Sequence, residues 1–105
     1  MATSSAFLPK TTTKTLSGTT ASSSATFSET DKDGDCLRLV VATVVTATVI
    51  FVRCGRGAQT ATAADIAIPA VAGAYVIGVG TGVDTVAVIT DAGTASVYAC
   101  KGEGV

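Results

Sequence analysis

The sequence lacks histidine and tryptophan, and its only aromatic residues are three phenylalanines and two tyrosines. Histidine is the commonest general base in enzymes and a frequent zinc ligand, so its absence removes much ordinary catalytic chemistry. The serines lie within residues 1–28 except Ser96, which has no G-x-S-x-G motif around it. The acidic residues between 65 and 103 show no paired-carboxylate spacing. We therefore expect a protein that is not an enzyme.

A strong charge of either sign is also missing. Seven Lys and Arg residues face eight Asp and Glu residues, so no basic field favours nucleic acid. Three widely spaced cysteines, Cys36, Cys54 and Cys100, match neither a zinc site nor a disulfide framework, and we expect buried free thiols made in a reducing cytosol. The acidic run 29–35 departs from a calcium loop because Gly34 precedes Asp35, so it predicts a turn.

Two further motifs are incomplete. The glycines of 78–82 suggest a dinucleotide-binding loop, but position 83 is Val and strand-like residues follow, so no helix could receive a phosphate. The apolar run 39–52 has 14 residues, fewer than the roughly 17 to 25 of a membrane helix, and contains three Thr. No apolar segment typical of a secretory signal follows Lys10. We expect no cofactor, no metal and no membrane partner.

What the sequence has in abundance is short runs of β-branched residues. Three of them within 74–104, separated by 80–82 and 91–93, predict a β-meander. Residues 36–54 predict a hairpin that turns near 42–45, with Leu37, Leu39 and Val41 on one face. Residues 65–69 predict a short strand that ends at Pro69. Six strands, or seven to eight with N-terminal pieces, indicate an all-β fold: a single small β-sandwich or jelly-roll-like module.

The first 28 residues differ in composition from the rest. They are rich in Ser and Thr and contain no acidic residue, which is typical of an extended segment that has little to bury. We assign 1–28 to an extended N-terminal arm and 29–105 to the β-sandwich domain. Within the arm, 11–16 and 25–28 could each add an edge strand. Its apolar cluster of Phe7, Leu8 and Pro9 is the predicted anchor on a partner.

Exposed charges and tyrosines are further candidates for contacts. Arg53, Arg56 and Lys101 lie near strand ends and could form a small basic patch, although solvated strand ends are the more ordinary interpretation. Tyr75 and Tyr98 could face one another across the meander, with packing in the core or in an interface as the default role.

The segments DIAIPA (65–70), DTVAVIT (84–90) and GTASVY (93–98), followed by KGEG (101–104), resemble small virion structural proteins of tailed bacteriophages. The resemblance extends from about residue 38 to the C-terminus and is closest in size and style to capsid decoration (cement) proteins. It implies a non-enzymatic component of the virion, assembled in the host cytoplasm and placed on the capsid surface. Its partners would be the major capsid protein and its own copies, as a homodimer or homotrimer.

Other functions stay open from the sequence. A phage neck or tail adaptor is similarly small and rich in β-structure. A soluble carbohydrate-binding β-module belongs to a different class, and the scarcity of aromatic residues weighs against it because sugars stack on exposed rings. A plastid protein with a Ser-rich transit segment is a more remote interpretation.

Overall fold

A computed structural model describes residues 8–9, 13–27, 36–42, 46–79 and 82–103. These residues form nine β-strands and no helix. The strands are, in chain order, β1 (Leu8–Pro9), β2 (Lys14–Gly18), β3 (Ser23–Thr26), β4 (Cys36–Val41), β5 (Val49–Gly55), β6 (Ile66–Pro69), β7 (Gly73–Gly78), β8 (Thr85–Thr90) and β9 (Ala95–Glu103). The prediction of an all-β fold is confirmed.

The strands form two antiparallel sheets that lie face to face. Sheet A has the order β2-β9-β4-β7, with the two-residue β1 pairing with the far end of β9, and sheet B has the order β3-β8-β5-β6. Strands β2 to β9 are nested: β2 pairs with β9, β3 with β8, β4 with β7 and β5 with β6. This nesting of eight strands in two sheets is the jelly-roll arrangement.

The core lies between the two sheets and consists mainly of aliphatic side chains. The alternation of Leu37, Leu39 and Val41 places all three on the inner side of β4, as predicted, and none is more than 2% exposed. From the opposite sheet, Ile50 and Val52 are fully buried. The remaining buried members of this cluster are Leu16, Phe27, Ala47, Ile68, Ala70, Val86, Val88, Ala95, Val97 and Ala99. Thin aliphatic packing of this kind derives its stability from close fit over many small contacts.

Much of the predicted arm belongs to this sandwich. Strands β2 and β3 form the edges of sheets A and B on the same side of the molecule. Leu16 and Phe27 are each 1% exposed, and the Phe27 N–H donates to the Asp84 carbonyl at 2.7 Å. The boundary expected at 28/29 therefore does not separate residues 13–27 from the domain, because their apolar side chains complete its core. Edge strands were predicted in 11–16 and 25–28, close to where β2 and β3 occur.

The predicted hairpin of 36–54 is wrong. Strand β4 pairs with β7 and β9 in sheet A, whereas β5 pairs with β6 and β8 in sheet B. Both strands present a row of large aliphatic side chains, and packing these rows face to face buries more apolar surface than placing the strands side by side. The chain therefore crosses between the sheets after Ala42.

The predicted meander of 74–104 is wrong for the same reason, since β7 and β9 lie in sheet A and β8 lies in sheet B. Residues 91–93 join the two sheets instead of turning a hairpin. Asp91 accepts hydrogen bonds from the backbone N–H groups of Thr48 and Val49, both at 3.1 Å. Gly93 has a φ of +76°, and a Cβ atom at this position would lie only 2.8 Å from the Thr46 carbonyl oxygen. Glycine suits this crossing because other residues rarely adopt that φ.

Phe27→Ala tests whether the N-terminal strands belong to the domain. We expect the free energy of unfolding to fall by about 3–5 kcal/mol, since a buried ring is replaced by a cavity. Ser24→Ala, at an exposed position of the neighbouring strand, should change it by less than about 0.5 kcal/mol. Urea denaturation measures both variants, and equal stabilities for the two would contradict this assignment.

Candidate functional site

The outer side of sheet A carries a set of residues that we term the Tyr98 face. In the sheet register, Tyr98 of β9 lies between Thr15 of β2 and Val40 of β4, and Val40 lies opposite Ala74 of β7. The next row toward the 91–93 crossing pairs Ser17 with Ser96. Two residues along β9 in the opposite direction, Cys100 pairs with Arg38, which also pairs with Val76. A surface of mixed apolar and hydroxyl groups results.

Tyr98 is the most exposed aromatic side chain among the described residues. It is 40% exposed, whereas Phe27 is buried and Phe51 and Tyr75 are half-buried. The prediction that Tyr75 and Tyr98 face one another is wrong. Tyr75 lies opposite Leu39 and packs against the core, but Tyr98 lies opposite Val40 and points outward. An aromatic ring with a polar tip on an open surface is suited to binding.

The alternation of the exposed Ser96 and Tyr98 with the buried Val97 and Ala99 was the signal that could have identified this face. The alternation ends at Cys100, which is 7% exposed. Thr15 and Ser17 show the same alternation around the buried Leu16. Nothing in the sequence indicated that β2 and β9 pair, and so the combined surface was missed.

A second surface lies at the open side of the sandwich, where β6 ends sheet B and β7 ends sheet A. We term it the edge cleft. It has a volume of about 340 Å³ and is lined by Val52, Arg53, Cys54, Asp65, Ile66, Gly78, Val79 and Val83. Its walls are mostly aliphatic, and Ile66 is 53% exposed at the rim. This volume is near the lower end of the roughly 300–1,000 Å³ typical of small-molecule sites.

One ion pair lies in the edge cleft. The Arg53 Nε–H donates to both carboxylate oxygens of Asp65, at 3.1 and 3.2 Å. Asp65 also accepts from the backbone N–H of Thr62 at 2.7 Å and from the Thr62 hydroxyl at 3.3 Å. These hydrogen bonds, the Thr62 N–H first and then Arg53, hold the pKa of the Asp65 carboxyl below its usual range. The carboxylate therefore remains ionised in weak acid and keeps the guanidinium in place.

Cys54 forms part of the same cleft and points toward the core. Burial raises the pKa of its thiol from 9.0 to about 11, and the nearby negative charge of Asp65 contributes to the increase. At neutral pH the thiol is protonated, so it behaves as a small apolar wall and a poor nucleophile. All three cysteines are free thiols, as predicted, but only Cys100 is buried, whereas Cys36 and Cys54 are half-buried.

The residues that the sequence suggested as partner contacts do not lie on either of these surfaces as a group. The backbones of Leu8 and Pro9 pair with Glu103 and Gly102 of the same chain, and Phe7 lies outside the described residues. Binding of Phe7, Leu8 and Pro9 to a partner stays a prediction. The proposed basic patch does not exist, because Arg53 belongs to sheet B whereas Lys101 belongs to sheet A and is 1% exposed.

The described part of the chain contains neither a metal-binding cluster nor a membrane-spanning helix. No group of three or more His, Cys, Asp or Glu side chains there is arranged to hold a metal ion. No helix there is long and apolar enough to cross a membrane. The predicted turn at 29–35 and residues Gly80 and Thr81 of the glycine-rich segment lie outside the described residues. The strand predicted after the glycine-rich segment is present as β8, so no helix N-terminus follows it.

These observations define a small jelly-roll β-sandwich with two surfaces suited to binding. No family model matches the chain, and no curated protein matches its sequence. Its fold is similar to the solved structure of CBM86, a low-affinity xylan-binding module from the xylanolytic gut symbiont Roseburia intestinalis. The TM-score is 0.51 with 20% sequence identity over 92% of this chain and 83% of that one. At this identity the similarity establishes the shared β-sandwich fold.

The Cys54 thiol gives a pH test of the edge cleft. Below about pH 9 the thiol is protonated in both folded and unfolded states; between about pH 9 and 11 only the unfolded state ionises, so we expect stability to fall over this range. Alkylation rates in a variant without Cys36 and Cys100 should report a pKa near 11. Asp65→Asn should lower that pKa while leaving it above 9.0, because burial is the larger cause. A wild-type pKa near 9 would contradict this placement of Cys54.

Proposed function

We propose that this protein is a non-catalytic module that binds a polysaccharide on its Tyr98 face. The observation that carries the proposal is the exposed ring of Tyr98 on the outer side of sheet A, with hydroxyl side chains at neighbouring positions. The ring can pack against the apolar C–H side of a sugar, and its phenol can hydrogen-bond to a sugar hydroxyl. Thr15 and Ser96 offer further donors and acceptors on the same face.

The dimensions and composition of the face suit a weak, extended contact. Sheet A is four strands wide, which corresponds to roughly 14 Å at the usual spacing between strands. One exposed ring provides one stacking contact, so the affinity expected is low. The similarity in fold to a low-affinity xylan-binding module supports this proposal. Because one fold serves many functions, the exposed Tyr98 ring is stronger support for sugar binding than the fold is.

The test is binding to a panel of soluble polysaccharides, including xylan, mannan and mixed-linkage glucan, by affinity electrophoresis and calorimetry. We expect at least one to bind wild-type protein. Tyr98→Ala should raise the dissociation constant by about two- to tenfold, the range expected for loss of an aromatic contact. Tyr98→Phe should retain most of the affinity because the ring remains.

Arg53→Gln, on the opposite sheet, serves as the matched control and should bind the polysaccharide like the wild type. Absence of binding to every polysaccharide would reject the proposal. Binding that Tyr98→Ala leaves unchanged would place the sugar site elsewhere.

A second candidate is the capsid decoration protein suggested by the sequence resemblance, with the major capsid protein and sibling copies as partners. One structural feature favours it: Ile66 and Val71 are 53% and 58% exposed along the β6–β7 edge, which would suit contacts between copies. Jelly rolls also occur in viral capsid proteins as well as in lectins.

Deletion of residues 1–9 separates this candidate from sugar binding. It removes Phe7, Leu8 and Pro9 and leaves β2 whole, so the sandwich should fold. A decoration protein should lose its attachment to capsids, whereas polysaccharide binding on the Tyr98 face should persist. Capsid attachment that survives the deletion would reject these residues as the anchor, and a low copy number in native particles would indicate a neck or tail adaptor instead.

A further inference from the structure

The edge cleft combines aliphatic walls with one oriented cation. Ile66, Val79 and Val83 contribute branched side chains, and the protonated Cys54 thiol completes the apolar lining. No aromatic side chain is among the lining residues, so the cleft lacks the stacking surface that sugars prefer. An alkyl group would fit such walls, because its burial removes apolar surface from water without leaving polar groups unpaired.

The guanidinium of Arg53 is held in one orientation by Asp65. Only its Nε–H donates to that carboxylate, and the Arg53 side chain is 46% exposed whereas that of Asp65 is 13% exposed. The two terminal nitrogens of Arg53 have no hydrogen-bond partner among the described residues. They form the end of a planar fork, which matches the two oxygens of a second carboxylate.

We propose that the edge cleft binds a small apolar monocarboxylate, with its alkyl body between Ile66, Val79 and Val83 and its carboxylate on the terminal nitrogens of Arg53. This site is separate from the Tyr98 face and does not depend on the proposed function. The Asp65 carboxylate has two opposing effects on such a ligand. It orients the guanidinium, and its negative charge repels the ligand's carboxylate, so binding is weaker than a lone arginine would give.

The test uses hexanoate as the probe and hexanol as the uncharged control with the same alkyl chain. Methyl-resolved NMR should show saturable shifts at Ile66, Val79 and Val83 with hexanoate. Hexanol should bind at least about tenfold more weakly, because a hydrogen bond to a charged group is worth about ten- to hundredfold in affinity. Equal binding of both probes, or no saturable shift at these methyls, would overturn the proposal.

Three variants make the test specific. Arg53→Gln should weaken hexanoate binding at least about tenfold, and Arg53→Lys should restore only part of it because a lysine lacks the planar fork. Asp65→Asn should bind hexanoate at least as tightly as the wild type, since the repelling charge is gone and the amide oxygen can still accept the Nε–H. Weaker binding by Asp65→Asn would overturn the placement of the carboxylate.

Tyr98→Ala is the control in the opposite direction and should bind hexanoate like the wild type. The two proposals can therefore be rejected independently, because polysaccharide binding should depend on Tyr98 and hexanoate binding should depend on Arg53. Spectra of each variant without ligand establish that it is folded, so that loss of binding reports the site. Hexanoate binding that Tyr98→Ala abolished would overturn the edge cleft as its location.

Discussion

The packing of sheet A on sheet B is the interaction on which the rest of this structure depends. Each sheet contributes a row of aliphatic residues, such as Leu37 and Leu39 on one side and Ile50 and Val52 on the other, and these are almost wholly removed from water. Aromatic residues contribute little to this core, so its stability requires that nearly every strand add a buried side chain. That requirement explains why the Ser/Thr-rich strands β2 and β3 are part of the domain: Leu16 and Phe27 fill positions that no other part of the described chain supplies.

The same packing determines which surfaces are available for binding. In sheet A the inward direction of Val97 and Ala99 turns Tyr98 outward, and the neighbouring strands add hydroxyl groups beside it. At the other side of the sandwich, the edge cleft lies beside the start of β6 and the end of β7, which are the edge strands of sheets B and A. Pro69 cannot donate a hydrogen bond to a further strand, and so this edge does not extend. We propose a polysaccharide as the ligand of the first surface and a small apolar carboxylate as the ligand of the second.

Several features of the fold could be predicted from the sequence because they depend on neighbouring residues. The β-branched runs predicted the strands that became β4, β5, β6, β7, β8 and β9, and the alternation in β4 predicted its buried face. Pairing was predicted wrongly wherever it was assumed to be local. Residues 36–54 and 74–104 have the composition of hairpins, but every consecutive pair among β7, β8 and β9 lies in opposite sheets. Pairing in a jelly roll joins residues far apart in sequence, such as Lys14 with Ala99, and local composition contains no information about it.

The sequence by itself determined the chemical limits of this protein. The absence of histidine, the balanced charge and the aliphatic composition belong to the residues whatever the fold. It also determined the two-residue alternation that separates buried from exposed positions in each strand, because that alternation is a property of an extended backbone. Only the tertiary structure decided that Tyr98 is exposed beside Thr15 and that Arg53 and Asp65 form an ion pair in a cleft. These neighbours come from different strands, and the free energy that brings them together is gained by burying the two inner faces rather than by the residues of either site.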